Sequence, residues 1–327
     1  MQHESWKPWR WFAALVVALA CGGAHAQAYP SKPVKILVGF AAGGPTDVIA
    51  RIVAADLTTQ LGQTFVVENR PGANAMIATE AVARAAPDGY TMLFSSLSLL
   101  VNSILLQDKA RYDPFKDFAP VSNAALLPMV IVTSPETGIN SLPELIARAR
   151  ARPGELTYGA SGHGGSSHLA GAMLENLTGT KMISVPFKGN APALVEVMSG
   201  RVTFMFYPII GISQQVQAKK LKVLAVGATS RHPDFPDAPT TSEAGMPSLE
   251  ETAPWVGLLA PAGTPPAIVA KVSEEMRKSL AKPDTRERVR ALGGVVVADT
   301  PEQYLAFLKK DHERWERVIK ASGVKAE

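Results

Sequence analysis

"ILVGFAAGGPTDVIAR", residues 36–51, decides the reading of this chain. An apolar run breaks at a Gly-Gly loop and restarts with helical spacing. Gly43 and Gly44 admit backbone angles that other residues avoid, and Pro45 suits a first helical turn. Ile49, Ile52, Val53 and Leu57 then form one face. The first-turn amides of such a helix lack intrahelical partners and carry its positive dipole end. A carboxylate or phosphate held there needs no arginine. The loop equally fits a plain turn in which Asp47 satisfies those donors. Neither G-x-G-x-x-G nor G-x-x-x-x-G-K-[ST] fits the spacing, so nucleotide loops are unsupported.

The pattern of this stretch recurs. Strand-like Val34–Phe40, helical Pro45–Leu61, strand-like Thr64–Glu68, helical Ala75–Ala86 and strand-like Tyr90–Ser95 make one alternating series. A second series runs from a helix at Leu142–Arg152 to a strand at Leu221–Val226. Alternation of this kind predicts α/β architecture with right-handed parallel crossovers. Two extended passages, residues 118–136 and 253–266, flank the second series. The chain is therefore expected to cross between lobes twice: 27–125 in lobe 1, 126–250 in lobe 2, and 251–327 back in lobe 1. The C-terminal part reads as helical, and Thr300-Pro301-Glu302-Gln303 is a capping box with proline at the first helical position. Tyr304, Phe307, Leu308, Trp315 and Ile319 then form a stripe typical of core packing.

Residues 1–26 read as a secretory signal: basic Lys7 and Arg10, an apolar run from Trp11 to Ala20, and a small-x-small site at Ala24-His25-Ala26. The run is shorter than a bilayer span. Ala18-Leu19-Ala20-Cys21 resembles a lipoprotein signal with its leucine one place off, so cleavage after Ala26 and a periplasmic location are the expectation. Cys21 is the only cysteine, which excludes a disulfide framework. The net charge of +4 is spread along the chain, which gives no nucleic-acid patch. The region after the signal lacks any long apolar stretch.

"LTYGASGHGGSSHLAGAM", residues 156–173, repeats the strand, small-residue loop and helix, with Ser166 as the expected N-cap. Two helix N-termini, one per lobe, would then face a shared cleft at the carboxyl ends of the strands. Gly159-Ala160-Ser161-Gly162-His163 nearly matches the G-x-S-x-G nucleophile elbow, but its last position is histidine. His163 and His168, without cysteine or a carboxylate motif nearby, make a poor metal pair.

These segments, together with "VENRPGANAMIATEAVARAAPDGYTMLF" (67–94), "VPFKGNAPALVEVMSGRVTFMF" (185–206) and "APTTSEAGMP" (238–247) followed by "PWVGLLAPAGTP" (254–265), occur in an order that resembles the Bug family. These are the extracytoplasmic solute-binding proteins of tripartite tricarboxylate transporters. The resemblance implies a two-lobed periplasmic binding protein, each lobe a mostly parallel sheet flanked by helices. It would be a cofactor-free monomer that closes on a small organic acid and is not an enzyme. Implied partners are two membrane transporter subunits or, in a sensing role, a sensor kinase. Carried onto this chain, the site comprises Phe40, Ala42, Gly43, Gly44, Asp47, Ser95, Ser96 and Ser98 in the first lobe. The second lobe would give Ser161, Gly162, Ser166, His168, Pro186, Phe187 and Lys188. The stretch "GRVTFMFYPIIG" (200–211) departs from the family by holding Thr203 and Tyr207 where acidic residues are common. Tyr207 in the cleft would weaken recognition of ammonium groups and favour aromatic or apolar acids.

Overall fold

A run of buried apolar residues on β1 (Val34–Val38) sets the frame of the first lobe, where four of five side chains are buried. This computed structural model describes residues 29–106, 109–228 and 230–325. The expected leader, its cleavage site and Cys21 lie outside the described residues. From β1 the chain passes through α1 (Pro45–Leu61), β2 (Phe65–Asn69), α2 (Met76–Ala83), β3 (Thr91–Ser96), α3 (Ser98–Leu105) and β4 (Phe118–Leu126). It then enters the second lobe as β5 (Met129–Thr133), α4 (Leu142–Ala151), β6 (Thr157–Ala160), α5 (Ser166–Thr178) and β7 (Ile183–Pro186). This lobe continues through α6 (Asn190–Met198), β8 (Phe204–Pro208), α7 (Ser213–Gln217) and β9 (Lys222–Gly227). The return comprises β10 (Trp255–Pro261), α8 (Pro266–Ala281), α9 (Pro283–Ala291), β11 (Val295–Val296) and α10 (Pro301–Ser322).

Two sheets result, ordered β11-β4-β10-β3-β1-β2 and β7-β6-β8-β5-β9, and both are mixed rather than the mostly parallel sheets expected. Within them β1, β2 and β3 pair in parallel, as do β6, β7 and β8. The extended passages of the sequence become the strands that change lobes, and β5 and β10 run antiparallel to both neighbours. Their direction follows from where they arrive. Each enters its sheet from the other lobe, at the cleft, which is the carboxyl end of the parallel strands. A backbone bond ties the crossings together, Leu127 N–H donating to Pro254 O, and Ile209 N–H, just after β8, donates to Pro128 O, both at 2.8 Å.

One apolar cluster lies on the outer side of each sheet, and a third joins the lobes. That third cluster unites Leu37 and Leu93 of the first lobe with Leu169 and Phe204 of the second, and includes Tyr304, Leu308 and Trp315 of α10. The C-terminal helix packs on α3, β4 and α5, so it spans both halves. Its capping box forms: Gln303 N–H donates to Thr300 Oγ1 at 3.2 Å, and Thr300 N–H to Gln303 Oε1 at 2.9 Å. At its other end Asn176 Nδ2 of α5 donates to Ser322 O at 2.5 Å.

Candidate functional site

Four helices begin at one cavity between the lobes. Strands β1, β3, β6 and β7 each hand over to a helix at the cleft, and small residues at the junctions let the backbones converge. From the first lobe come Pro45 and Thr46 of α1, and Leu97 and Ser98 where α3 starts. The second lobe adds Gly165 and Ser166 of α5, and Asn190 of α6. Phe40, Leu127, Pro208, Pro254 and Val256 supply apolar wall, and Asn74, Ser96 and Ser161 complete the lining. No charged side chain is among these residues. Each helix N-terminus carries roughly half a positive charge and amides without intrahelical partners. Four of them make the cavity electropositive with neutral chemistry. In this closed arrangement its volume is about 20 Å³, room for little more than one water. A larger ligand needs the lobes to part.

The loops that present these amides are internally braced. Asp47, 2 % exposed, accepts from Gly43 N–H, Arg51 Nε and Asn69 Nδ2, each at 2.9 Å. Burial pushes its pKa up, but the bonds from Arg51, Gly43 and Asn69 outweigh burial and hold it below the usual carboxylate range. Asp47 thus shapes the Gly43-Gly44 turn, and Thr46 beside it lines the cavity. In the second lobe Ser167 Oγ accepts from Ser161 N–H at 2.8 Å and lies 3.1 Å from Ser161 Oγ. His168 Nδ1 accepts from Gly164 N–H at 3.0 Å. The recorded side-chain partner of Ser161 Oγ is a serine, not a histidine.

The structure sorts the expected site residues by position. Phe40, Ser96, Ser98, Ser161 and Ser166 line the cavity. Phe40 also borders a second recess, about 180 Å³, at the cleft mouth, with Gly162, Phe187 and Lys188. Ala42, Gly43 and Gly44 form the turn before α1, and Asp47 and His168 brace loops. Ser95 is buried with its Oγ directed to Ser96 O at 3.4 Å. Pro186 is exposed at the end of β7 and lines neither space. Ser166 is not the N-cap of α5: Gly165 holds that position, and Ser166 opens the helix proper. Tyr207 is also corrected. It is 3 % exposed, packed with Val130, Ala193, Leu194 and Ile209 in the outer core of the second lobe. Strand alternation turns it away, and Pro208 is the β8 residue that reaches the cavity.

Sequence reading missed Thr46, Asn74, Gly165, Asn190 and the brace Ser167. It also gave no helix after Ser95, where α3 begins at Ser98. The helix α3 reads as a short apolar run, because Leu99, Leu100 and Val101 are consecutive and all buried. Asn190 had one available signal, the Lys-Gly-Asn turn after a strand.

The profile of a family described as "Tripartite tricarboxylate transporter family receptor" matches residues 49–324. Among solved structures, the chain is similar to "periplasmic binding protein BugD", with 34% identity and a TM-score of 0.87, over 91% of this chain and 100% of that one. It is similar to Rpa4515 of R. palustris, solved with adipate, with 33% identity and a TM-score of 0.88, over 91% and 100% of the two chains. MatC of Rhodopseudomonas palustris, solved with bound malate, has 33% identity and a TM-score of 0.84, over 89% and 100%.

Proposed function

We propose that this chain, which belongs to the tripartite tricarboxylate transporter family of receptors, captures a small carboxylate between its lobes in the periplasm. The observation that carries the reading is the convergence of four helix N-termini on a cavity without a charged side chain. A carboxylate there accepts hydrogen bonds from backbone amides and from the hydroxyls of Ser96, Ser98, Ser161 and Ser166. Similar proteins solved with adipate and malate support the ligand class. Both halves of the cavity come from one chain, so a monomer suffices. The closed, liganded form is then the species offered to two membrane transporter subunits, because closure alone distinguishes it from the empty protein.

Binding without turnover is the expected chemistry. A hydrolase would need a base within reach of Ser161 Oγ, and the imidazole that braces this loop, His168, is engaged by the Gly164 amide.

A thermal-shift screen of residues 27–327 against mono-, di- and tricarboxylates tests the proposal. At a hundredfold excess over Kd a ligand adds about 2.7 kcal/mol of stability, which is readily measured. A shift with one class of acid is the expected result. No shift with any acid, or ester turnover that Ser161→Ala abolishes, would contradict it.

A further inference from the structure

Asn74 lies at the cavity with one oxygen that no described residue satisfies. The residue is 7 % exposed, and its Oδ1 is buried without a hydrogen-bond partner among the described residues. Its orientation is fixed by a reciprocal pair. Asn102 Nδ2 donates to the Asn74 backbone carbonyl at 2.9 Å, which turns Asn102 Oδ1 toward the Asn74 side chain. Asn74 Nδ2 donates to that oxygen at 3.0 Å. Flipping either amide would set donor against donor or acceptor against acceptor, so Asn74 Oδ1 is held as an acceptor. It sits beside Gly165, the N-cap of α5: a Cβ built on Gly165 would lie 3.4 Å from it. Both residues line the cavity.

The backbone is also committed to this placement. Ala73, Asn74 and Ala75 all have positive φ, at 46°, 50° and 71°. Three consecutive non-glycine residues in this region cost free energy that the surrounding structure must offset. The turn brings the Asn74 amide from the first lobe against Gly162, Gly164 and Gly165 of the second.

An acceptor buried at an electropositive cavity calls for a donor on the ligand. A carboxylate has none. An ammonium would meet four helix N-termini with no acidic side chain in the lining, so it is disfavoured by charge. A hydroxyl donates without charge. We propose that Asn74 determines specificity, its Oδ1 accepting from a hydroxyl on the carboxylate's own chain, so that the preferred ligand is a hydroxycarboxylate. This rests on the carboxylate reading above and narrows it.

Calorimetric titration of the mature protein with acid pairs of equal chain length tests the assignment: propionate and lactate, succinate and malate, glutarate and 2-hydroxyglutarate. The hydroxylated member of the fitting pair should bind about tenfold more tightly or better, since its partner leaves Oδ1 unsatisfied. Asn74→Gly, which suits the positive φ, should erase that preference. Asn74→Ser, whose hydroxyl is too short to reach, gives a second route to the same result. Equal binding of both members by the wild type, or a preference that survives both variants, overturns this inference and leaves carboxylate capture standing. Failure of every acid to bind overturns both.

Discussion

The backbone amide of Ala41 donates to the carbonyl of Lys188 at 3.2 Å, joining the first lobe to the second across the mouth of the cleft. The residue that follows, Gly189, has φ 125°, and a Cβ there would lie 3.4 Å from both Ala41 N and Phe40 Cβ. The branched side chain of Gly189→Val has to occupy this gap. We expect strain of about 1–3 kcal/mol in the melting curve and a loss of ligand affinity of about tenfold or more. Small-angle scattering should show reduced ligand-induced contraction. Native affinity with full contraction would rule out this contact as part of closure.

Asp47 should matter more for the loop's shape than for ligand contact. Asp47→Ala leaves the Gly43 amide without its acceptor and Asn69 Nδ2 with only the Phe40 carbonyl, at a cost of about 2–3 kcal/mol by denaturant unfolding. The pH dependence has a definite sign. The folded pKa lies below the unfolded value, so the contribution is present above about pH 4 and fades as pH falls through the folded value. Asp47→Asn should therefore lose less stability than the wild type on acidification over that window. Parallel acid profiles would show that the carboxylate is uncoupled from the fold.

A second buried acid has the opposite sign. Asp311 Oδ2 accepts from the indole Nε1 of Trp255 at 2.7 Å and of Trp315 at 3.0 Å, while Oδ1 accepts from Arg314 Nε at 2.7 Å. Burial raises its pKa more than Arg314 and the two indoles lower it. Its favourable contribution is full below the unfolded value near pH 4 and declines as pH rises through the raised folded value. Asp311→Ala strands two buried indole donors and should cost about 2–4 kcal/mol, with the larger deficit on the acid side. A deficit that grows toward neutral pH would contradict this linkage.

Tyr207→Phe provides a contrast. The ring belongs to the outer core of the second lobe, and removing the hydroxyl leaves that packing intact. Titrations should give the same ligand preferences as the wild type. A changed ratio between amino acids and their deaminated analogues would return Tyr207 to the site.

The contrast between Tyr207 and Asn74 shows what the sequence can carry. The Gly43-Gly44-Pro45 and Gly164-Gly165-Ser166 junctions were legible because small residues and helical spacing are local signals. The lobe change at residues 118–136 was legible as a passage without helical period. Strand direction was not, since it depends on the side from which β5 and β10 enter. Tyr207 was placed in the cleft by resemblance, whereas its orientation is set by alternation along β8. The Asn74–Asn102 pair joins a turn residue to a residue of α3, and their contact exists only after folding. The second pair of helix N-termini was missed for a related reason. The helix α3 is buried on most sides, and α6 opens at Asn190, ahead of its first buried residue, Ala193.

In the reading proposed above, neutral donors at four helix N-termini select a carboxylate. The most direct measurement is a pair of calorimetric titrations on residues 27–327, with the tightest-binding acid and with its primary amide. The two ligands are nearly equal in size but differ in charge. The account predicts measurable binding for the acid and at least a hundredfold weaker binding for the amide, roughly 2.7 kcal/mol or more. Equal affinity for acid and amide would show that the cavity recognises shape and hydrogen bonding without selecting negative charge.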